Sequence, residues 1–194
     1  MPEKPVFVIT GPSGAGKGTL EAVLLARMPD ELALAVSATT RPRRPGERDG
    51  RDYHFLSDEE FDRRLALGEF LEYVTYVSGH RYGTLRSELE QIAASGRAAV
   101  LDLEIEGALT VRDAVPGAVT IFVDASLAEL ERRLRERATE SAGEIGERVA
   151  LAREQKRRVD EFDHVVVNDE LERASRELQA IVSRELAAAA TMPT

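Results

Sequence analysis

The chain of 194 residues carries 26 Lys and Arg against 35 Asp and Glu, a formal charge of −9, with 43% hydrophobic and 31% charged residues. At about 150 residues per domain this length allows one domain, or one with a modest insert, and burial of roughly 70% of the unfolded surface supports a core without cross-links. The absence of Cys excludes disulfides, thiolate metal sites and Cys catalysis, and the acidic balance argues against a nucleic-acid polymer as partner; with no leader pattern and no run near the roughly 18 apolar residues of a membrane span, a cytoplasmic location is expected.

In chain order, residues 6–10 form a run rich in Val and Ile, too short for a helix, and predict a buried strand. A Gly-rich turn follows, and Leu20, Val23, Leu24 and Arg27 recur at spacings of three and four, predicting a helix over 18–28. Residues 33–37 read as a second strand. From Thr40 to about Arg97 the rhythm breaks: Pro42, Pro45, Gly46 and Gly50 give turns, 52–55 alternate, a short helix starts at Asp58, and 70–74 are strand-like. Strands return at 98–103, 118–123 and 164–168. Leu127, Leu130 and Leu134 mark one helix, and Leu171, Leu178, Ile181 and Val182 another. A polar helical stretch over about 131–148, interrupted at 139–143, predicts a mobile lid, and 187–194 a frayed tail. The alternation predicts an α/β fold, a parallel sheet flanked by helices with ligands beyond the carboxyl ends of its strands. The expected division is a core of 1–37, 98–130 and 149–194, an inserted subdomain of about 38–97, and the lid.

Basic residues are unevenly placed. Five Arg fall within 41–51 and four within 132–137, clusters that suit a small anionic substrate. Only three Lys occur, Lys4, Lys17 and Lys156, which sets Lys17 apart.

Gly11-Pro12-Ser13-Gly14-Ala15-Gly16-Lys17 fits G-x-x-x-x-G-K, directly after a strand and directly before a helix. Glycines there let successive backbone N–H groups face phosphate oxygens, the helix N-terminus adds about half a positive charge, and the lysine adds a full one. Without the lysine in register the stretch would read as a plain strand-to-helix turn. Position 18 is Gly where the pattern has Ser or Thr for Mg²⁺, and the hydroxyl comes one residue later at Thr19. Asp102, closing the apolar run at 98–101, is the candidate either to organise Mg²⁺ or to cap the next helix.

Gly11 to Thr19, then Ser37-Ala38-Thr39-Thr40-Arg41-Pro42-Arg43-Arg44-Pro45-Gly46-Glu47, Gly50-Arg51-Asp52-Tyr53-His54-Phe55, Phe70-Leu71-Glu72, Tyr82-Gly83-Thr84 and Val166-Val167-Asn168-Asp169 together resemble the guanylate kinases, in order over nearly the whole chain. The resemblance implies a P-loop kinase core, a GMP-binding insert and a lid, catalysing ATP + GMP ⇌ ADP + GDP with Mg²⁺ and accepting dGMP. It implies ATP contacts from Gly11, Pro12, Ser13, Gly14, Ala15, Gly16, Lys17, Gly18 and Thr19, from Arg133 and Arg137 of the lid, and from Asn168 near adenine. For GMP it implies Ser37, Arg41, Arg44, Tyr53, Glu72, Tyr82, Thr84, Asp102 and Glu104. Lys17, Arg41, Arg133 and Arg148 would neutralise charge during transfer, with Thr19 and Asp102 toward Mg²⁺, partly through water or nucleotide. ATP and GMP are the expected partners, for a monomer or weak homo-oligomer.

The chemistry agrees with these residue types. Guanine presents two adjacent donors, N1–H and the N2 amine, beside the O6 acceptor, so a carboxylate and a hydroxyl read it fully. Adenine would leave that carboxylate unpaired, which discriminates by roughly 10⁴ or more. Forked Arg contacts to the GMP phosphate are worth about 1.5 to 3 kcal/mol each. The attacking phosphate oxygen is already ionised, so alignment and charge neutralisation suffice without a strong base.

Some positions depart from the family pattern. One extra residue separates Glu72 from Tyr82, Leu85 stands where Ser is usual, Glu104 is the second acid after the central strand, and Glu136-Arg137-Ala138 replaces Gly-Arg-Gly. Rival readings are a ribose 1,5-bisphosphate kinase, which has no guanine to read, and a non-catalytic guanylate-kinase-like peptide-binding domain, against which Lys17 speaks.

Overall fold

Strands covered on both faces need apolar side chains at successive positions. The computed structural model, which describes residues 4–76, 78–136 and 142–191, buries β1 (Phe7–Thr10) along its whole length. Phe7 and Ile9 face one hydrophobic cluster, while Val8 and the preceding Val6 face the other. The chain continues through α1 (Lys17–Arg27) and β2 (Leu32–Leu34), then β3 (Ala38–Thr39), β4 (His54–Phe55), α2 (Asp58–Ala66), β5 (Phe70–Thr75) and β6 (Arg81–Leu85). It returns through α3 (Arg86–Ala94), β7 (Ala98–Asp102), α4 (Ile105–Ala114) and β8 (Val119–Asp124), and closes with α5 (Leu127–Glu136), α6 (Ala142–Lys156), a 3-10 turn, β9 (His164–Val167) and α7 (Leu171–Thr191).

The larger sheet has the order β2-β7-β1-β8-β9, all neighbours parallel. Leu20 and Leu24 of α1 and Leu178 and Val182 of α7 cover one face; Ile92 of α3 and Ile105, Ala108 and Leu109 of α4 cover the other. Two helical layers on a parallel sheet account for the near-continuous apolar strands. The smaller sheet, β4-β3-β6-β5, pairs β3 with β4 in parallel and β6 with both β3 and β5 antiparallel. Its core is Ala38, Phe61, Phe70 and Leu85, with the Phe61 and Phe70 rings stacked at 4.3 Å.

Several expectations shift, each for a local reason. The second strand ends at Leu34: Ala35 N–H still donates to Val100 O, and beyond it the Val36 N–H, on the open edge, donates to Glu88 Oε2 at 3.0 Å. Only His54 and Phe55 of the alternating 52–55 run form a strand; Asp52 instead closes a turn, its N–H donating to Arg48 O and its carboxylate accepting from Arg48 N–H. The residue that caps α4 is Glu104, by backbone geometry alone, so Asp102 does not cap it. At the C-terminus α7 stays helical to Thr191 where a frayed tail was expected; its alanines are the strongest helix formers. β6 and α3 had no separate signature in the pattern.

Glu88 of α3 also meets the smaller sheet. Its Oε1 lies 2.8 Å from His54 Nε2, so one carboxylate joins the segment leaving β2 to strand β4.

Candidate active site

The loop between β1 and α1 owes its shape to glycine. Gly11, Gly14 and Gly16 have φ of 137°, 88° and 87°, values that L side chains rarely adopt. Space is as tight as the backbone is unusual: a Cβ on Gly11 would lie 2.1 Å from the Val123 carbonyl oxygen, and one on Gly16 would lie 2.5 Å from Asn168 Nδ2. Gly18 is different, with nothing within 4 Å of a Cβ position, so its lack of a hydroxyl is not imposed by packing.

Side chains from distant elements hold the loop's outer carbonyls. Arg133 donates through Nη1 to Ala15 O at 3.1 Å and through Nη2 to Asn168 O at 2.8 Å, while its Nε binds Glu129 Oε1 at 2.7 Å. Asn168 donates through Nδ2 to Ala15 O at 2.7 Å. Arg148 of α6 reaches Ser13 Oγ at 3.0 Å, and Lys17 Nζ donates across the loop to Gly11 O at 2.8 Å. Helices α5 and α6 are thereby tied to the phosphate loop. Arg137 lies outside the described residues.

A cleft of about 750 Å³ opens between the two sheets. The larger sheet's side contributes Lys17, Asp102, Glu104 and Gly107; the smaller sheet's side contributes Ser37, Arg44, Tyr53, Glu72, Tyr76, Ser78 and Tyr82; Arg148 completes the lining. Glu72 and Thr84 are both buried, and the Thr84 hydroxyl donates to Glu72 Oε1 at 2.8 Å. Burial pushes the Glu72 pKa above the usual carboxylate range against the opposing pull of the Thr84 hydroxyl and N–H. Glu72 Oε2 lies close against α4, where a Cβ on Gly107 would come within 2.9 Å of it. Asp102 lines the cleft with its side chain exposed; desolvation by the surrounding walls raises its pKa, with Lys17 pulling the other way.

Not every expected residue faces this cleft. Arg41 is buried behind it, forked onto Glu47 at 2.8 and 3.0 Å, with its guanidinium carbon 5.2 Å from the Tyr53 ring centroid. Thr84 acts from behind Glu72. Thr19 is exposed on α1, Gly18 beside it, and neither lines the cleft; Arg133 and Asn168 belong to the back of the loop.

Four residues escaped the sequence reading. Glu21, one turn beyond Lys17 on α1, is buried with Oε2 unpaired, and burial plus Asp102 push its pKa up to about 7 despite Lys17. Its signal was a charge beside the apolar positions of α1. Tyr76 falls in the stretch with the extra residue, Gly107 had no distinguishing pattern, and Glu47 sits in a turn six residues from its arginine.

Among the described residues no three His, Cys, Asp or Glu side chains gather into a metal cage. One hard carboxylate beside a phosphate loop suits Mg²⁺, which keeps most of its water and binds through substrate phosphates.

Comparison with known proteins agrees with this architecture. The guanylate kinase family model matches residues 3–185. The chain is 47% identical over 191 residues to a guanylate kinase of Symbiobacterium thermophilum, covering 96% of this chain and 90% of that one, and 50% identical over 183 residues to one of Rubrobacter xylanophilus, covering 94% and 95%. A crystal structure of guanylate kinase from Anaplasma phagocytophilum, 29% identical, superposes with a TM-score of 0.73 over 94% of this chain and 86% of that one. With a family match over nearly its whole length and relatives near half identity, the chain belongs to the guanylate kinase family.

Proposed function

We propose that the protein transfers the γ-phosphoryl group of ATP to GMP, and to dGMP, giving ADP and the nucleoside diphosphate. The observation that carries this reading is the cleft itself. A lysine-bearing phosphate loop stands at one end, and a buried carboxylate locked by a hydroxyl, Glu72 with Thr84, stands on the opposite sheet.

In this reading Glu72 accepts from the N1–H and N2 edge of guanine, and Ser37 meets O6. Arg44, Tyr53 and Tyr82 receive the GMP phosphate. Arg41 serves the same anion from behind the wall, and its fork to Glu47 keeps the guanidinium aligned. Residues 11–19 cradle the ATP phosphates, Lys17 and Arg148 neutralise charge as the phosphoryl group passes, and Arg133 and Asn168 hold the loop's carbonyls outward. Arg137 is proposed for the lid on the resemblance alone. Mg²⁺ would be held near Asp102, largely through water and nucleotide, where it would offset negative charge on the phosphates; Thr19, exposed outside the cleft, is not placed to share it. The insert of about 38–97 and the lid of about 131–148 would close on the two nucleotides and keep water from the phosphoryl group. No helix among the described residues is long and apolar enough to cross a membrane, and the reading assigns the enzyme to the cytoplasm.

The test is ADP release from Mg-ATP with GMP, dGMP, AMP, UMP and ribose 1,5-bisphosphate offered in turn. GMP and dGMP are the expected acceptors. Preference for AMP, or turnover only with the sugar phosphate, overturns the reading.

A further inference from the structure

A hydrogen bond crosses the cleft. The Tyr76 hydroxyl, just past β5 of the smaller sheet, donates to Glu104 Oε1 at 3.2 Å at the start of α4. Its two ends are supported differently. The Tyr76 ring sits edge-on to Tyr82 at 5.1 Å, and Tyr82 meets Tyr53 at 5.9 Å, so the phenol is one member of an aromatic row. Glu104 is an exposed carboxylate whose side chain makes no cap bond on its own helix. Its direction in the cleft is therefore set by Tyr76. Glu72 approaches the same first turn of α4 from the other sheet, with Oε2 against Gly107. Although Tyr76 is 41% exposed, desolvation of its hydroxyl, together with the Glu104 charge, raises its pKa, and the hydroxyl stays the donor.

We propose that Tyr76 is a positioning residue for base selection: by holding Glu104 Oε1 across the cleft, it aims the remaining oxygen, Oε2, at the exocyclic amine of the purine. This rests on the kinase reading above. Hypoxanthine shares N1–H and O6 with guanine and lacks only that amine. A carboxylate aimed at the amine is thus reported by the preference for GMP over IMP; Glu72 also meets the amine, but its contribution is the same in wild type and in Tyr76→Phe, so the change in the ratio between those two proteins isolates Tyr76. A swinging Glu104 would find the amine only part of the time, and the loss would fall on binding.

The experiment is steady-state kinetics with GMP and IMP on wild type, Tyr76→Phe, Glu104→Gln and the double variant. Tyr76→Phe keeps the ring and its packing. It is expected to lower the GMP-to-IMP ratio of kcat/KM by roughly five- to tenfold, chiefly through KM for GMP, and to add little in the Glu104→Gln background because both changes act through one carboxylate. An unchanged ratio, an equal loss of kcat for both nucleotides, or fully additive effects would each overturn the proposal. A wild-type enzyme inert toward GMP would remove the kinase reading itself, an outcome distinct from an active enzyme whose Tyr76→Phe ratio stays put.

Discussion

Glu72 and Thr84 stand opposite one another on antiparallel β5 and β6, and the 2.8 Å hydrogen bond between them fixes a buried carboxylate with one oxygen directed to α4. A charge in that position is costly unless a ligand supplies donors. In the proposed reading this carboxylate favours a base edge carrying two N–H groups and penalises one carrying a lone pair.

Glu72→Gln is expected to lower the GMP-to-AMP ratio of kcat/KM by on the order of 10², while KM for ATP changes little. Because burial raises the Glu72 pKa, protonation removes an acceptor as pH falls. KM for GMP in the wild type should rise as pH falls, beginning above the ordinary carboxylate range, and the Gln variant should lose that part of the dependence. A GMP-to-AMP ratio that survives the substitution would remove Glu72 from base reading.

Lys17→Ala should leave the fold standing, since Lys17 is only half-buried and contributes one hydrogen bond to Gly11 O, worth about 1 kcal/mol. Phosphoryl transfer should drop by roughly three orders of magnitude or more. Far-UV circular dichroism and ADP release measured on one preparation check both halves.

Glu21 makes stability depend on pH in a direction opposite to most carboxylates. Its folded pKa, about 7, lies above the ordinary glutamate value of 4.5, so its contribution to stability is complete below pH 4.5 and is lost as pH rises through 7. Glu21→Gln should gain on wild type by on the order of 2 kcal/mol between pH 4.5 and pH 8. Urea unfolding at the two pH values measures the shift, and parallel curves for the two proteins would show that Glu21 ionises freely.

Two glycines of one loop should answer substitution oppositely. Gly11→Ala forces a Cβ against the Val123 carbonyl and strains a φ of 137°, so thermal stability and activity should both collapse. Gly18→Ser meets open space and should fold normally, and a hydroxyl at the first turn of α1 should lower the Mg²⁺ concentration needed for half-maximal rate. Melting temperature and Mg²⁺ titration separate the pair.

The sequence was most informative where chemistry demands particular residue types in a fixed local order. Gly11 to Lys17 and the apolar strand before it could be read directly, because a phosphate loop is built from contiguous residues. The same holds for the strands of the larger sheet, whose two covered faces leave an unmistakable apolar run. Partnerships across the fold left no such trace. Nothing near Arg133 announces that it grips the carbonyls of Gly14 and Ala15, more than a hundred residues away. Arg41 and Glu47 are close in sequence, yet only the fold of the intervening turn shows that the arginine is buried and forked onto that carboxylate rather than open to the cleft.

The carboxylate of Glu88 has a mechanical meaning. Because it clasps both the Val36 amide, just past a strand of the larger sheet, and His54 of the smaller sheet, while α3 itself seats Ile92 on the larger sheet, Glu88 pins the two sheets to each other at one point. A rotation of β5 and β6 against the larger sheet would have to turn about that pin or pull His54 away from it.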